Sequence, residues 1–396
     1  MKIIGIEDQE EKKKQLNRKK IVISVIVSVI ILIILLLLSL YIANKSFRDF
    51  MDKYVLMKNV LEDNSVSISI DENETNYIYA FNKYITVLNN NALKGYNSSG
   101  KQEFELKVEI ANPMFDKNNR FLLIAEKDKK KIYLIESDHI VWENELEGNI
   151  SRISVNKNGY VSVVLSGTTY KSVIQTFDTT GKEIFKTYLS NTIAIDTDIS
   201  FDNKYLSFAE VNTDGTVMNT TIKTISIQKA KETPSESIIS SVEIPNNNLM
   251  VNMRYQDGNK LICFYNDSIY LIKDGTSQIL MSLDEENQKN TFADINLTNY
   301  IVRVVEKSVL LSTENTIEIM NITNNKINIY TLDGVTKEIY CYENQIAINL
   351  GTEVHFIGTN GWLIKKYISN QEIKKIVMGN NFAGIVYRDK IEIINL

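Results

Sequence analysis

The chain is poor in proline, cysteine and histidine, with three, two and two residues respectively in 396. With so little Pro and no long polar low-complexity stretch, no flexible linker divides the chain into separate globular domains. The two cysteines, Cys263 and Cys341, cannot build a disulfide framework. They fall in different units of the chain, each within an apolar run, and read as buried small apolar side chains. His139 and His355 each stand without a second ligand at metal spacing, so neither is a metal or catalytic candidate. Phosphate-binding loops, nucleophile elbows and Cys-x-x-Cys pairs are all missing. The expectation is no catalytic, cofactor-binding or metal-binding residue, hence a protein that is not an enzyme and carries no cofactor.

What is present first is one long apolar run. From Ile21 to Ala43 there is no charged residue. At ~1.5 Å per residue this segment reaches roughly 34 Å, enough for a ~30 Å hydrocarbon core. It exceeds the ~7–15 apolar residues of an export signal, and Tyr41-Ile42-Ala43-Asn44 makes a poor cleavage site, so it reads as a retained transmembrane anchor. Residues 1–20 carry seven Lys/Arg against four Asp/Glu, a net +3, and the chain as a whole carries −5, which leaves −8 for the rest. The basic excess before the span predicts residues 1–20 inside the cytoplasm and everything after the span outside it. No stretch of that acidic remainder forms a basic patch, so nucleic acid is excluded as a partner.

Residues 44–64 carry a helical pattern: Phe47, Phe50, Tyr54, Met57 and Leu61 recur at alternating spacings of three and four. This predicts a juxtamembrane stalk helix, too short for a confident coiled coil, with weak dimerisation through it as an open alternative.

From residue 65 to residue 396 the period changes to two. Runs such as Tyr77–Phe81, Phe121–Ala125, Tyr160–Leu165, Leu261–Tyr265 and Ile391–Ile394 are short and β-branched or aromatic. Asn118-Asn119, Asn158-Gly159, Asp202-Asn203, Asp257-Gly258 and Asn380-Asn381 precede second strands, where tight hairpins need residues tolerant of positive φ. A polar turn with glycine recurs: Tyr96 to Lys101, Phe177 to Lys182, Ile357 to Trp362, with related turns at Ser137-Asp138, Lys273-Asp274-Gly275 and Asn324-Asn325. A recurrence near 40 residues with about four strands each is that of a propeller blade. Units fall at 77–108, 111–146, 151–189, 194–244, 249–283, 292–332 and 335–368, and residues 372–396 supply three further strands. Val66–Ile70 is spare and would complete that last unit, closing the ring and removing two sheet edges. The expectation is an all-β, eight-bladed β-propeller, with seven blades as the alternative. Gln228–Ser241, in the longest unit, reads as a protruding loop.

The turns carrying Asp178, Gly181 and Phe185, and more loosely Gly361-Trp362 and Ile140-Val141-Trp142, resemble those of quinoprotein-like (PQQ-like) and WD-like (WD40-like) propeller repeats, although no Trp-Asp or Gly-His pair is present. The whole layout resembles a family of single-pass, membrane-anchored propellers of Gram-positive bacteria. That resemblance implies a fold and an address, but no activity.

Asp196, Asp198 and Asp202 are an acidic cluster that could line a pore or hold calcium, although the alternating spacing also suits solvated strand ends. The functional expectation is a non-catalytic binding or scaffolding module at the cell surface, with an extracytoplasmic protein, peptide or glycan as partner. The alternatives are a quinoprotein-like or lactonase-like enzyme, and a sensor signalling through the span.

Overall fold

The computed structural model describes residues 7–44, 47–48, 51–56, 65–72, 77–89, 91–213, 219–244, 250–285, 288–309 and 312–396. It divides into two units, Met1–Val60 and Leu61–Leu396.

The first unit is dominated by one helix, Glu7–Ala43, which begins inside the basic tail rather than at the span. Its segment Lys20–Ala43 has a mean hydropathy of 3.7 and is long and apolar enough to cross a membrane. Ile21 to Ile42 expose apolar side chains all around the helix, a distribution that suits surroundings of lipid and not a one-sided protein core. Beyond it Phe47 and Arg48 are helical and Met51–Val55 forms a π-helical turn in which Asp52 accepts a hydrogen bond from Tyr41 Oη at 2.7 Å. Of the expected stalk stripe, Phe50, Met57 and Leu61 lie outside the described residues.

The second unit is a ring of eight antiparallel sheets, each made of strands consecutive in sequence except at the closure. Blade 1 holds the strands between Tyr77 and Lys107, blade 2 Pro113 to Glu145, blade 3 Asn149 to Leu189, and blade 4 Thr192 to Ile244. Blade 5 runs from Met250 to Ser282, blade 6 from Asp284 to Asp333, blade 7 from Glu338 to Ile368, and blade 8 from Lys375 to Asn395. Blade 6 adds a two-residue strand, Asp284–Glu285, and is the one five-stranded sheet among the described residues. Blade 8 is completed by Val66–Ser69, which pairs antiparallel with Lys390–Asn395 in the register Val66↔Ile393 and Ile68↔Ile391. The eight-bladed reading and its N-to-C closure therefore hold.

Around the ring, the strands beginning at Tyr77, Pro113, Asn149, Thr192 and Met250 in blades 1 to 5, and at Gln288, Glu338 and Lys375 in blades 6 to 8, lie innermost and touch strands of neighbouring blades. Apolar clusters lie between blades: Phe121 and Leu123 of blade 2 pack with Val161 and Val163 of blade 3, and Ile68 and Ile391 of blade 8 pack with Ile78 and Ile85 of blade 1. A single four-stranded sheet could not hide both of its faces. The ring hides them because every blade is sandwiched by two others.

The stretch Gln228–Ser241 corrects the sequence reading. It is a helix, Ile227–Glu232, then a 3-10 turn, Pro234–Glu236, then the outermost strand Ile238–Ile244. Ser226 caps the helix by accepting the Lys229 N–H, and Ile227 and Ala230 are buried. Those two apolar positions, three apart, anchor one helical turn.

Candidate functional site in the axial channel

Polar residues of the innermost strands join every pair of neighbouring blades. Asp116 Oδ2 of blade 2 accepts the Val155 N–H of blade 3 at 2.8 Å. Blade 3 reaches blade 4 through Ser154, whose hydroxyl donates to Asp198 at 2.6 Å, and through Asn156, whose Nδ2 donates to Ser200 O at 3.0 Å. In blade 4, Asp196 and Asp198 accept the N–H groups of Met253 and Tyr255 of blade 5 at 2.7 and 2.6 Å. Gln256 donates to Ile295 O of blade 6, and the Cys341 thiol of blade 7 donates to Asp294 of blade 6. Glu338 accepts the Ile376 N–H, joining blades 7 and 8. At the closing seams lysines take over, with Lys375 donating to Ile78 O and Lys117 to Ala80 O. A backbone group lining a ring of barely contacting inner strands needs such a partner, since an unmet buried donor costs ~1–3 kcal/mol.

Two ties cross the channel. Arg254 of blade 5 grips Asp116 of blade 2 with both terminal nitrogens, at 3.0 and 2.6 Å, and stands 3.9 Å from Asp198. Lys117, next in sequence to Asp116, donates to Tyr340 Oη and Met378 O and lies 4.8 and 4.6 Å from the ring centres of Tyr340 and Tyr342. Asp116-Lys117 thus binds one half of the ring to the other, the aspartate by a charge-assisted fork and the lysine by carbonyls and aromatic faces.

Asp116, Lys117, Arg254 and Tyr340 line one axial cavity of about 510 Å³, a funnel whose wall also holds Asn118, Asn119, Lys157, Phe201, Asn296 and Glu343. Burial sets the electrostatics. It pushes the Asp196 carboxyl up to about 7 against the bond from Met253, and Asp198 up to about 6 against Arg254 and Ser154. Burial also pulls the Lys117 ammonium down to about 7, with Lys375 adding repulsion. Burial opposes the Arg254 charge too, but Asp116 outweighs it and holds the guanidinium protonated. Asp294 is raised by burial, and the Cys341 thiol is raised by burial and then by Asp294.

The residues singled out in the sequence have other places. Asp196 and Asp198 are inter-blade fasteners, whereas Asp202 sits in a hairpin turn bonded to Ser200 and Asn259, so the three do not converge on one point. Among the described residues no group of three or more His, Cys, Asp or Glu is placed to hold a metal ion. His139 is exposed beside Asp138. His355 is buried, with Tyr330 Oη on one ring nitrogen at 2.8 Å and Glu353 on the other at 2.6 Å. Cys263 and Cys341 are both buried and not joined in a disulfide.

Sequence reasoning missed the cross-channel pairs, whose members stand 138 and 223 residues apart. One local signal does exist. Ser154, Asp198, Arg254, Asp294 and Glu338 each precede by five residues the positive-φ residue of the inner hairpin, namely Gly159, Asn203, Asn259, Asn299 and Glu343. In blades 1, 2 and 8 the same place is held by Tyr77, Met114 and Ile376, so the recurrence marks five of the eight inner strands.

Residues 58–396, which include the whole propeller, match DUF5711, a family of unknown function. The chain belongs to the DUF5711 family. No curated protein matches its sequence. Among solved structures, this DUF5711 chain is similar to the C-terminal WD40 domain of Sif2, with TM-score 0.55, 11% identity, and 85% of this chain and 99% of that one covered. It is similar as well to a eukaryotic initiation factor, with TM-score 0.50, 12% identity, and 85% and 87% covered. BamB from Moraxella catarrhalis aligns with TM-score 0.48 and 13% identity over 84% and 97% of the two chains. At such identities the likeness is one of fold, that of a β-propeller.

Proposed function

We propose that the chain is a non-catalytic binding or scaffolding module, anchored in the cell membrane by Ile21–Ala43 with its propeller outside the cytoplasm, and that the axial funnel and its rim receive a protein, peptide or glycan. One observation carries the reading: the acids and bases deep in the funnel are spent on holding blades together. Asp116 is taken by Arg254 and Val155, Asp198 by Ser154 and Tyr255, and Lys117 by two carbonyls and a hydroxyl. A general base or nucleophile must keep a valence for substrate, whereas a recognition surface needs only a rigid frame that presents varied loops. The WD40-like fold supports a binding role by analogy alone.

Photoreactive residues at Asn119 and Glu343 on the rim should capture one partner in intact membranes, and a photoreactive residue at Tyr188 on the outer wall should not. Stoichiometric metal or quinone on the purified protein, or saturable lactone hydrolysis, would overturn the proposal in favour of an enzyme. The address has its own check: Lys231→Cys, on the exposed side of the short helix, should react with an impermeant thiol reagent on cells stripped of their wall. Reaction only after lysis would reverse the orientation.

A further inference from the structure

Of the two tryptophans, Trp142 is buried and Trp362 is 75% exposed. The fold does not ask for an indole at Trp362. It follows the glycine in the outer turn of blade 7, the place that Lys101 and Lys182 hold in the like turns of blades 1 and 3, and all three residues are exposed. The turn is held firmly: the Trp362 N–H donates to Asn360 Oδ1 at 3.0 Å, and its carbonyl accepts the Gly358 N–H at 2.9 Å. It leans on blade 6, where Asn328 Nδ2 donates to Thr359 O at 2.9 Å and Gly361 stands against Ile329. Ile327 and Ile329, on that blade's outermost strand, are exposed as well. Residues 321–332 and 354–371, which form the outer hairpins of the two blades, contain three lysines and no Asp or Glu, and Lys326 is exposed next to Ile327.

We propose that this corner of blades 6 and 7 rests on the surface of a lipid bilayer, with the Trp362 indole in the interfacial layer and Lys326 among anionic headgroups. Tryptophan settles at membrane interfaces because its ring is apolar and its N–H polar, and lysine is drawn to anionic lipid. The topology brings the chain itself to this place. Alternate hairpins of an antiparallel sheet lie at the same end, so the Trp362 turn marks the end of the ring where third strands finish. In blade 8 the outermost strand enters there, since Val66 pairs with Ile393 and Ser69 with Lys390. Lys365, on the strand that follows Trp362, donates to Asn395 O of blade 8, so the indole and the entry point are on adjoining blades. Only residues 44–64 separate Ser65 from the apolar segment that ends at Ala43. A bilayer is thus an apolar surface to which the chain ties this end covalently. Trp362 is not part of the funnel wall, and the contact leaves the funnel open. It presupposes that Ile21–Ala43 is a retained anchor, as in the reading given above.

The test uses the full chain in vesicles of phosphatidylcholine and phosphatidylglycerol, with and without bromine high on the acyl chains, a short-range quencher of indole emission. In brominated vesicles the wild type should lose about half of its tryptophan emission, because one of its two indoles is at the interface. Trp362→Phe, left with the buried Trp142, should lose none and should keep the thermal midpoint of the wild type. Lys326→Glu should lessen the loss, and so should vesicles of phosphatidylcholine alone. Equal emission in brominated and plain vesicles, from a chain that resists carbonate extraction, overturns the proposal and leaves the anchor standing. A chain that carbonate removes overturns both. Emission from Trp362 that is blue-shifted but unquenched marks a protein cover, a second copy or another chain, and overturns it too. Quenching that neither Lys326→Glu nor neutral lipid alters overturns the role given to charge.

Discussion

At the scale of single residues, the channel is a place where the fold accepts buried charge in return for closure of the ring. Asp116 and Arg254 are the largest such commitment, and breaking a buried pair from one side costs about 3–5 kcal/mol because the other charge is left unmet. Asp116→Ala should therefore lower urea stability by about that amount, whereas Asp116→Leu with Arg254→Met should recover most of the loss. The same burial sets a pH dependence. Asp196 and Asp198 have folded values of about 7 and 6 against an ordinary 3.8, so below neutrality the native state binds more protons than the unfolded chain, and stability falls as pH rises from about 4 to about 7. Lys117 has the opposite sign. Its folded value of about 7 lies under its ordinary 10.5, so the unfolded chain binds the extra proton above neutrality and stability climbs across that upper window. Carboxylates depressed by partners, such as Glu109 at about 2 through Lys107 and Lys131, act below both windows. The thermal midpoint should pass through a minimum near pH 7, and Asp196→Asn with Asp198→Asn should flatten its acid side. A midpoint that rises steadily from pH 5 to 7 would contradict this assignment.

At the scale of elements, the glycine turns explain why the repeat was visible at all. Asn97 accepts from Ser99 N, Ser99 Oγ and Lys101 N at 2.9, 2.7 and 3.1 Å, and Asp178 accepts from Thr180 N, Thr180 Oγ1 and Lys182 N at 2.8, 2.7 and 3.1 Å. The same short acceptor builds the same turn, and glycine three residues later takes the positive φ. At Gly181 that φ is +80° and a Cβ would stand 2.6 Å from Trp142 Cγ of the preceding blade. Gly258 has a similar φ, +71°, with nothing within 4 Å. Gly258→Ala should cost about 1–2 kcal/mol for the left-handed backbone alone, and Gly181→Ala more, since it must also displace the indole. Equal falls in midpoint would show that the turn does not bear on the next blade. Outer turns with glycine fall on blades 1, 3, 5 and 7, but Gly275 stands in a two-residue hairpin between Lys273 and Thr276 and not in the longer turn of Gly100 and Gly181. Reading a period of one blade was accurate for strands, because hairpin residues such as Asn119, Asn203 and Asn381 sit at positive φ once per blade. It was blind to which side chains of the neighbouring blade the turns would touch.

At the scale of the whole molecule, the ring is fastened by its two ends, because Val66–Ser69 supplies the outer strand of a blade whose other strands come from the last residues. Deleting residues 65–70 should lower the melting temperature of the whole propeller and make its unfolding less cooperative, because blade 8 loses its outer strand and blade 1 loses the Val66 surface on which Gly100 rests. Deleting residues 1–60 should leave a folded propeller. Equal midpoints with and without residues 65–70 would refute the fastening. What the amino-acid sequence determined by itself was whatever depends on neighbours in the chain: the apolar run Ile21–Ala43, the two-residue period of the strands, the turns that join them, and a count of eight in which one blade lacked a strand. Side-chain alternation and tolerance of positive φ are local properties, so they can be read along a line. The short helix Ile227–Glu232 escaped because a single turn with two anchoring residues has no period to detect. Only the tertiary structure decided that Asp116 would meet Arg254, that Lys117 would lie between Tyr340 and Tyr342, and that Asp196 and Asp198 would accept backbone N–H groups of the next blade and so stand apart from Asp202. Those pairings depend on which blades face one another across a closed ring, and ring closure is a property of all eight blades together.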